Sequence, residues 1–167
     1  FFSVFAHPFI GGDHLLAMVA VGVWGAILGR PLIFILPVVF PIVMAAGGTF
    51  AMAGGALPGT EIGIALSVLV LGGLIAAQRS LPIAAAAAIV GGFAIFHGFA
   101  HGQELPLAAA PVAYSVGFVL ATGLLHLAGI GIGWLIESAQ SPQRLHRAVG
   151  GAIVLSGLYF LFRGVLA

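Results

Sequence analysis

Lysine and cysteine are missing from this chain, and charge of either sign is scarce. Without cysteine there is neither a disulfide frame nor a thiolate ligand. Any metal must be held by nitrogen and oxygen, with methionine sulfur a weak addition. Five arginines and four carboxylates in 167 residues leave 5% of side chains charged. A soluble domain carries roughly 25%, because most of its surface must face water. A net charge of +1, with no arginine cluster beyond Arg144 and Arg147, gives no nucleic-acid footprint, and no nucleic-acid partner is expected. What is present is apolar: 62% of residues are hydrophobic and the mean hydropathy is +1.26. The lipid bilayer is the solvent that such a surface requires.

Proline, glycine and the few charges cut the apolar runs. A spanning helix needs roughly 20 residues. The runs predict spans at 3–28, 32–55, 61–78, 82–101, 110–136 and 147–166. Six spans with short turns fill residues 1–167 as a single all-α transmembrane domain, a compact helical bundle. Pro31, Pro82 and Pro142 fall near helix starts, where a missing N–H does little harm. Pro37 and Pro41 fall inside the second span and should bend it. Gly25-x-x-x-Gly29 and Gly129-x-x-x-Gly133 would permit close helix approach.

Arg30, Arg79, Arg144 and Arg147 follow spans one, three and five, so they share one side; Glu61 and Glu104 fall on the other, and Arg163, near the end of span six, is the exception, expected to snorkel outward. The positive-inside rule makes the arginine side cytoplasmic and both termini external. A first residue of Phe is consistent with a leader removed outside. Trp24 and Trp134 are expected as interfacial rings near the cytoplasmic ends of their spans.

Ionisable side chains at membrane depth are expensive and mark function by default. They fall in three places. In His7-Pro-Phe-Ile-Gly-Gly-Asp13-His14, the two histidines lie seven apart, on one helix face. Asp13 points about 100° away from His14 in a regular helix. Gly11 and Gly12 could loosen the backbone enough to turn both toward one ion. The alternative is that Asp13 caps a half-helix while the histidines bond to neighbouring carbonyls. Met18, one turn on, is a soft ligand or, more simply, a gap filler. In His97-Gly-Phe-Ala-His101-Gly-Gln-Glu104, the histidines are spaced i, i+4, so one helical face can grip one ion, and Glu104 extends that face. An interfacial histidine pair with an exposed Glu104 is the plainer reading. His126 sits alone within span five, as a third station or bonded to a facing carbonyl. His146 and Glu137 read as solvated, and Glu61 as a helix N-terminal dipole partner. With the N-terminus outside, His7, His101 and Glu104 lie near the outer surface. His14 is roughly 10 Å deeper than His7, and His97 about 6 Å deeper than His101. A descending line of imidazoles and carboxylates suits stepwise dehydration of a divalent transition metal ion.

The segments His7 to Trp24, Phe96 to Pro106 and Gly117 to His126 resemble the HupE/UreJ family of nickel/cobalt permeases, and so does Leu57-Pro58-Gly59-x-Glu61. Members are bacterial membrane proteins associated with supplying metal to hydrogenase or urease. The resemblance implies that His7, Asp13 and His14 handle metal, with His97, His101, Glu104 and His126 as partners. It implies transport of nickel, then cobalt, into the cell across the cytoplasmic membrane. The metal would be cargo rather than a resident cofactor, with zinc as a bound surrogate. Facilitated diffusion and proton coupling both remain open, as does a homo-oligomer. An intramembrane metal-dependent enzyme such as a zinc hydrolase is the alternative. No H-E-x-x-H and no prominent Ser–His pairing favour it. A haem bundle would not need the clustered Asp13.

Overall fold

A computed structural model describes residues 11–104 and 111–166, with the side chains of 104 and 111–115 outside that description. Six helices account for nearly all of it: α1 (Gly12–Leu28), α2 (Leu32–Met52), α3 (Thr60–Ala76), α4 (Ile83–Glu104), α5 (Pro111–Glu137) and α6 (Pro142–Leu166). No strand occurs among the described residues. Four helices (α2, α4, α5 and α6) are long and apolar enough to cross a membrane. The apolar α1 and α3 are shorter, at 17 residues, about 25 Å of rise. The position of α1 explains its composition. It packs along α2, α3, α5 and α6 and meets α4 through His14, and nine of its residues from Ala17 to Ala26 are buried. Large apolar side chains on the outer helices point away from the bundle instead, among them Phe34, Ile42, Leu127, Leu135 and Phe162. An outward apolar belt around an apolar core is the signature of a lipid-solvated bundle.

The chain runs up and down, and glycine seams join the helices in pairs. α1 and α5 run parallel: a Cβ on Gly22 would strike the His126 carbonyl, and one on Gly129 the Val19 carbonyl. α2 and α4 are also parallel, with Gly98 against the Met44 carbonyl and Gly47 against that of Ile95. α3 and α6 are antiparallel through Gly72, Gly150 and Gly157. Where hydrophobic driving force between helices is absent, such backbone contact is what holds a bundle together. Gly129 and Gly133 thus act as their spacing suggests. Gly29 does not: it meets nothing within 4 Å and ends α1 with a left-handed φ of 72°.

Three other expectations need correction. α6 begins at Pro142, not near residue 147, and α4 runs to Glu104, past residue 101. Polar residues end an apolar run without ending a helix, and Pro142 at the first helical position starts one. His146 is consequently one turn inside α6. It is buried and lies 2.8 Å from Glu137 Oε1 through Nε2, rather than solvated in a loop. Trp24 is no interfacial ring: it is fully buried, with Nε1 donating to the Arg79 carbonyl at 3.3 Å. Trp134 is exposed, as an interfacial ring would be. Arg30 and Arg79 of the turns and Arg144 and Arg147 at the start of α6 lie at one end of the bundle; Asp13, Glu61 and His101 lie at the other, with Arg163 in the last turn of α6.

Candidate metal centre

Gly11, extended at φ −75° and ψ 102°, leads into α1, and the Leu15 N–H donates to its carbonyl at 2.9 Å. Asp13 therefore falls in the first turn. Its Oδ1 accepts from the His14 backbone N–H at 2.8 Å and contacts His14 Nδ1 at 2.9 Å. An ionised carboxylate can only accept, so His14 carries its proton on Nδ1 and presents Nε2 to the bundle. That Nε2 is buried and has no hydrogen-bond partner among the described residues. The sequence raised the prospect that Asp13 and His14 face one ion together. As folded, Asp13 acts on the His14 ring, the arrangement that orients metal-binding histidines.

α4 brings the other imidazoles. The His97 ring centroid is 4.8 Å from that of His14, and the His101 centroid 4.5 Å, both edge to face. His97 is fully buried and His101 nearly so. Phe118 closes over His101 with centroids 4.2 Å apart. Among the described residues, no three His, Asp or Glu side chains already converge on one point as a finished ligand set.

His126 is buried but stands apart. The Phe40 ring lies between, with centroids 5.4 Å from His97 and 5.3 Å from His126. The Pro37 carbonyl lies near the His126 ring. Neither of its nitrogens completes a hydrogen bond of good geometry there. Pro41 has no N–H to give that carbonyl, so the two prolines of α2 leave it open to the ring. His7 and the Glu104 side chain lie outside the described residues. Met18 is buried in the apolar core, the gap-filling reading.

Two side chains at the site escaped the reading of the sequence. Ser67 of α3 is fully buried and contacts His97 Nε2 at 3.0 Å. Phe40 separates the imidazoles. Neither is ionisable, and a serine in an apolar helix ordinarily satisfies itself on its own backbone. Only helix adjacency reveals them: a Cβ on Gly63 would run into the Phe96 ring, and that close approach of α3 to α4 puts Ser67 beside His97.

Fold and site together define a multi-pass helical membrane protein with a buried imidazole cluster at one end. The chain belongs to the HupE/UreJ family, matching the HupE / UreJ protein family over residues 1–160. Protein HupE of Rhizobium leguminosarum bv. viciae is 46% identical over 155 residues, which is 93% of this chain and 81% of that protein. No solved structure matches. The family is one of membrane proteins related to nickel and cobalt transport.

Proposed function

We propose that this protein carries a divalent transition metal ion, nickel first and cobalt next, across the bacterial cytoplasmic membrane into the cell. The observation that carries the reading is the contact of the His14 ring with those of His97 and His101, with Asp13 on the His14 ring, inside a largely apolar bundle. Imidazole nitrogen suits Ni²⁺, Co²⁺ and Zn²⁺, and affinity order alone does not choose among them; the family tie favours nickel. The cluster lies at the end that carries Asp13 and Glu61, where acidic side chains would collect cations from solution. His7 and Glu104 would extend it outward. His126, beyond Phe40, would be the next station toward the arginine-rich, cytoplasmic end. A transport site must replace the ion's water and still let the ion go. Neutral imidazoles with one nearby carboxylate fit that demand.

The test is Ni²⁺ uptake into proteoliposomes holding the purified chain, with and without a pH gradient, in competition with Co²⁺ and Zn²⁺. Saturable uptake that His14→Ala removes is expected. Wild-type vesicles no more permeable to Ni²⁺ than empty ones would end the proposal.

A further inference from the structure

We infer that Ser67 is a positioning residue for the metal: its hydroxyl fixes the His97 ring with the proton on Nε2, leaving Nδ1 as the nitrogen that bonds the ion. The inference rests on the transport reading and names a further residue of that site. A serine hydroxyl has one proton and two lone pairs. Ser67 Oγ is 2.6 Å from the Ile64 carbonyl oxygen, which can only accept, so the proton lies on that line. The opposite choice would press two lone-pair oxygens together at that distance. The remaining lone pairs of Oγ face His97 Nε2 at 3.0 Å. That contact is a hydrogen bond only if Nε2 carries the hydrogen. Neutral imidazole has one N–H, so Nδ1 is bare.

His97 Nδ1 is fully buried and meets no hydrogen-bond partner among the described residues. A desolvated acceptor with nothing to accept from is unfavourable by itself, and a metal ion is what such a nitrogen lacks. The neighbouring ring is arranged the opposite way. Asp13 accepts a hydrogen bond from His14 Nδ1–H and leaves Nε2 bare; that nitrogen is also buried and meets no partner among the described residues. Two touching imidazoles are thus held in opposite tautomers, one by a carboxylate and one by a hydroxyl. The neutral partner strengthens its ring less as a ligand than the carboxylate does. His97 is then the weaker ligand of the pair, which favours release in the inward direction.

The experiment compares wild type, Ser67→Ala and Ser67→Thr as full chains. Ring tautomers are read in metal-free micelles by nitrogen-15 histidine NMR, with the His97 signal assigned by its loss in His97→Gln. Ni²⁺ uptake is measured on the same proteins in vesicles. The expected wild-type signal is Nε2–H. In Ser67→Ala it becomes a mixture, and half-saturating Ni²⁺ rises by about tenfold or more while the maximal rate is kept. Ser67→Thr, which retains the hydroxyl, restores both. An Nδ1–H signal in wild type overturns the assignment. So does a Ser67→Ala protein matching wild type in tautomer and half-saturation. If wild type carries no Ni²⁺ but its His97 tautomer responds to Ser67→Ala, the transport reading falls and the Ser67–His97 assignment stands. If Ni²⁺ transport is normal and Ser67→Ala changes neither readout, the assignment falls and the transport reading stands.

Discussion

Among the described residues, a histidine–carboxylate contact stands at each end of the bundle, and the two are nearly equal in length: His14 with Asp13 at 2.9 Å, His146 with Glu137 at 2.8 Å. Their surroundings differ. Asp13 and His14 are adjacent in sequence and both largely buried, with side chains 22% and 13% exposed, and two further imidazoles rest on the His14 ring. Glu137 is 42% exposed, on the helix before His146, and it joins the end of α5 to the start of α6, the helix segment that carries Arg144 and Arg147. No second imidazole faces His146 among the described ring contacts. One contact orients a ring that other imidazoles touch; the other joins two helices. A histidine–carboxylate pair is therefore not a site by itself. The company of other imidazoles makes the difference.

Treating both carboxylates alike puts that difference at risk. Asp13→Asn keeps the shape but removes the charge that orients His14 and offsets a divalent ion in low dielectric. Ni²⁺ uptake should fall to the level of empty vesicles while the protein stays monodisperse in size-exclusion chromatography. Uptake at the wild-type rate would refute the role given to Asp13. The seam beneath the cluster should respond next. Gly22→Ala drives a methyl into the His126 carbonyl, overpacking α1 against α5 by about 1–3 kcal/mol. A lower thermal midpoint is expected, whereas Gly73→Ala, which meets nothing within 4 Å, should leave the midpoint unchanged.

A smaller effect separates the two ends by pH. A ligating imidazole nitrogen must be unprotonated, so added protons compete with the metal and apparent affinity falls as pH falls. Acidifying the face that carries Asp13 from about pH 7.5 to about 5.5 should weaken half-saturation several-fold. The same change on the arginine face should matter less. Initial rates against Ni²⁺ concentration, with the far side clamped, measure both. Glu137→Gln should do least: it weakens one partly exposed contact, worth about 1 kcal/mol, and leaves half-saturation for Ni²⁺ unchanged. A transport defect equal to that of Asp13→Asn would erase the distinction between the ends.

Hydropathy made the six helices legible, because a lipid-solvated chain must interrupt its apolar runs to turn. It misjudged their ends wherever polar residues lengthened a helix past the apolar core, and the error at Pro142 left His146 in solvent when it is buried. His14, His97 and His101 stood out in the sequence by their common depth and the i, i+4 spacing, and the fold brings His97 and His101 onto the His14 ring. Which rings touch was not readable, since that depends on how α1 and α4 sit. Trp24 misled because interfacial placement assumes an outer helix, and α1 is central. Ser67 and Phe40 carry no charge to betray them. Their roles exist only once α3 and α2 are packed against the histidines.

If the metal sits on the α1–α4 imidazoles, its own spectrum must carry their mark. Nickel K-edge X-ray absorption of the Ni²⁺-loaded chain reads this, because imidazole rings leave a recognisable outer-shell scattering pattern. Wild type should show imidazole scattering that weakens in both His14→Ala and His97→Ala and is untouched in His146→Ala. A spectrum with only oxygen ligands, or one changed by His146→Ala alone, would put the ion somewhere other than this cluster.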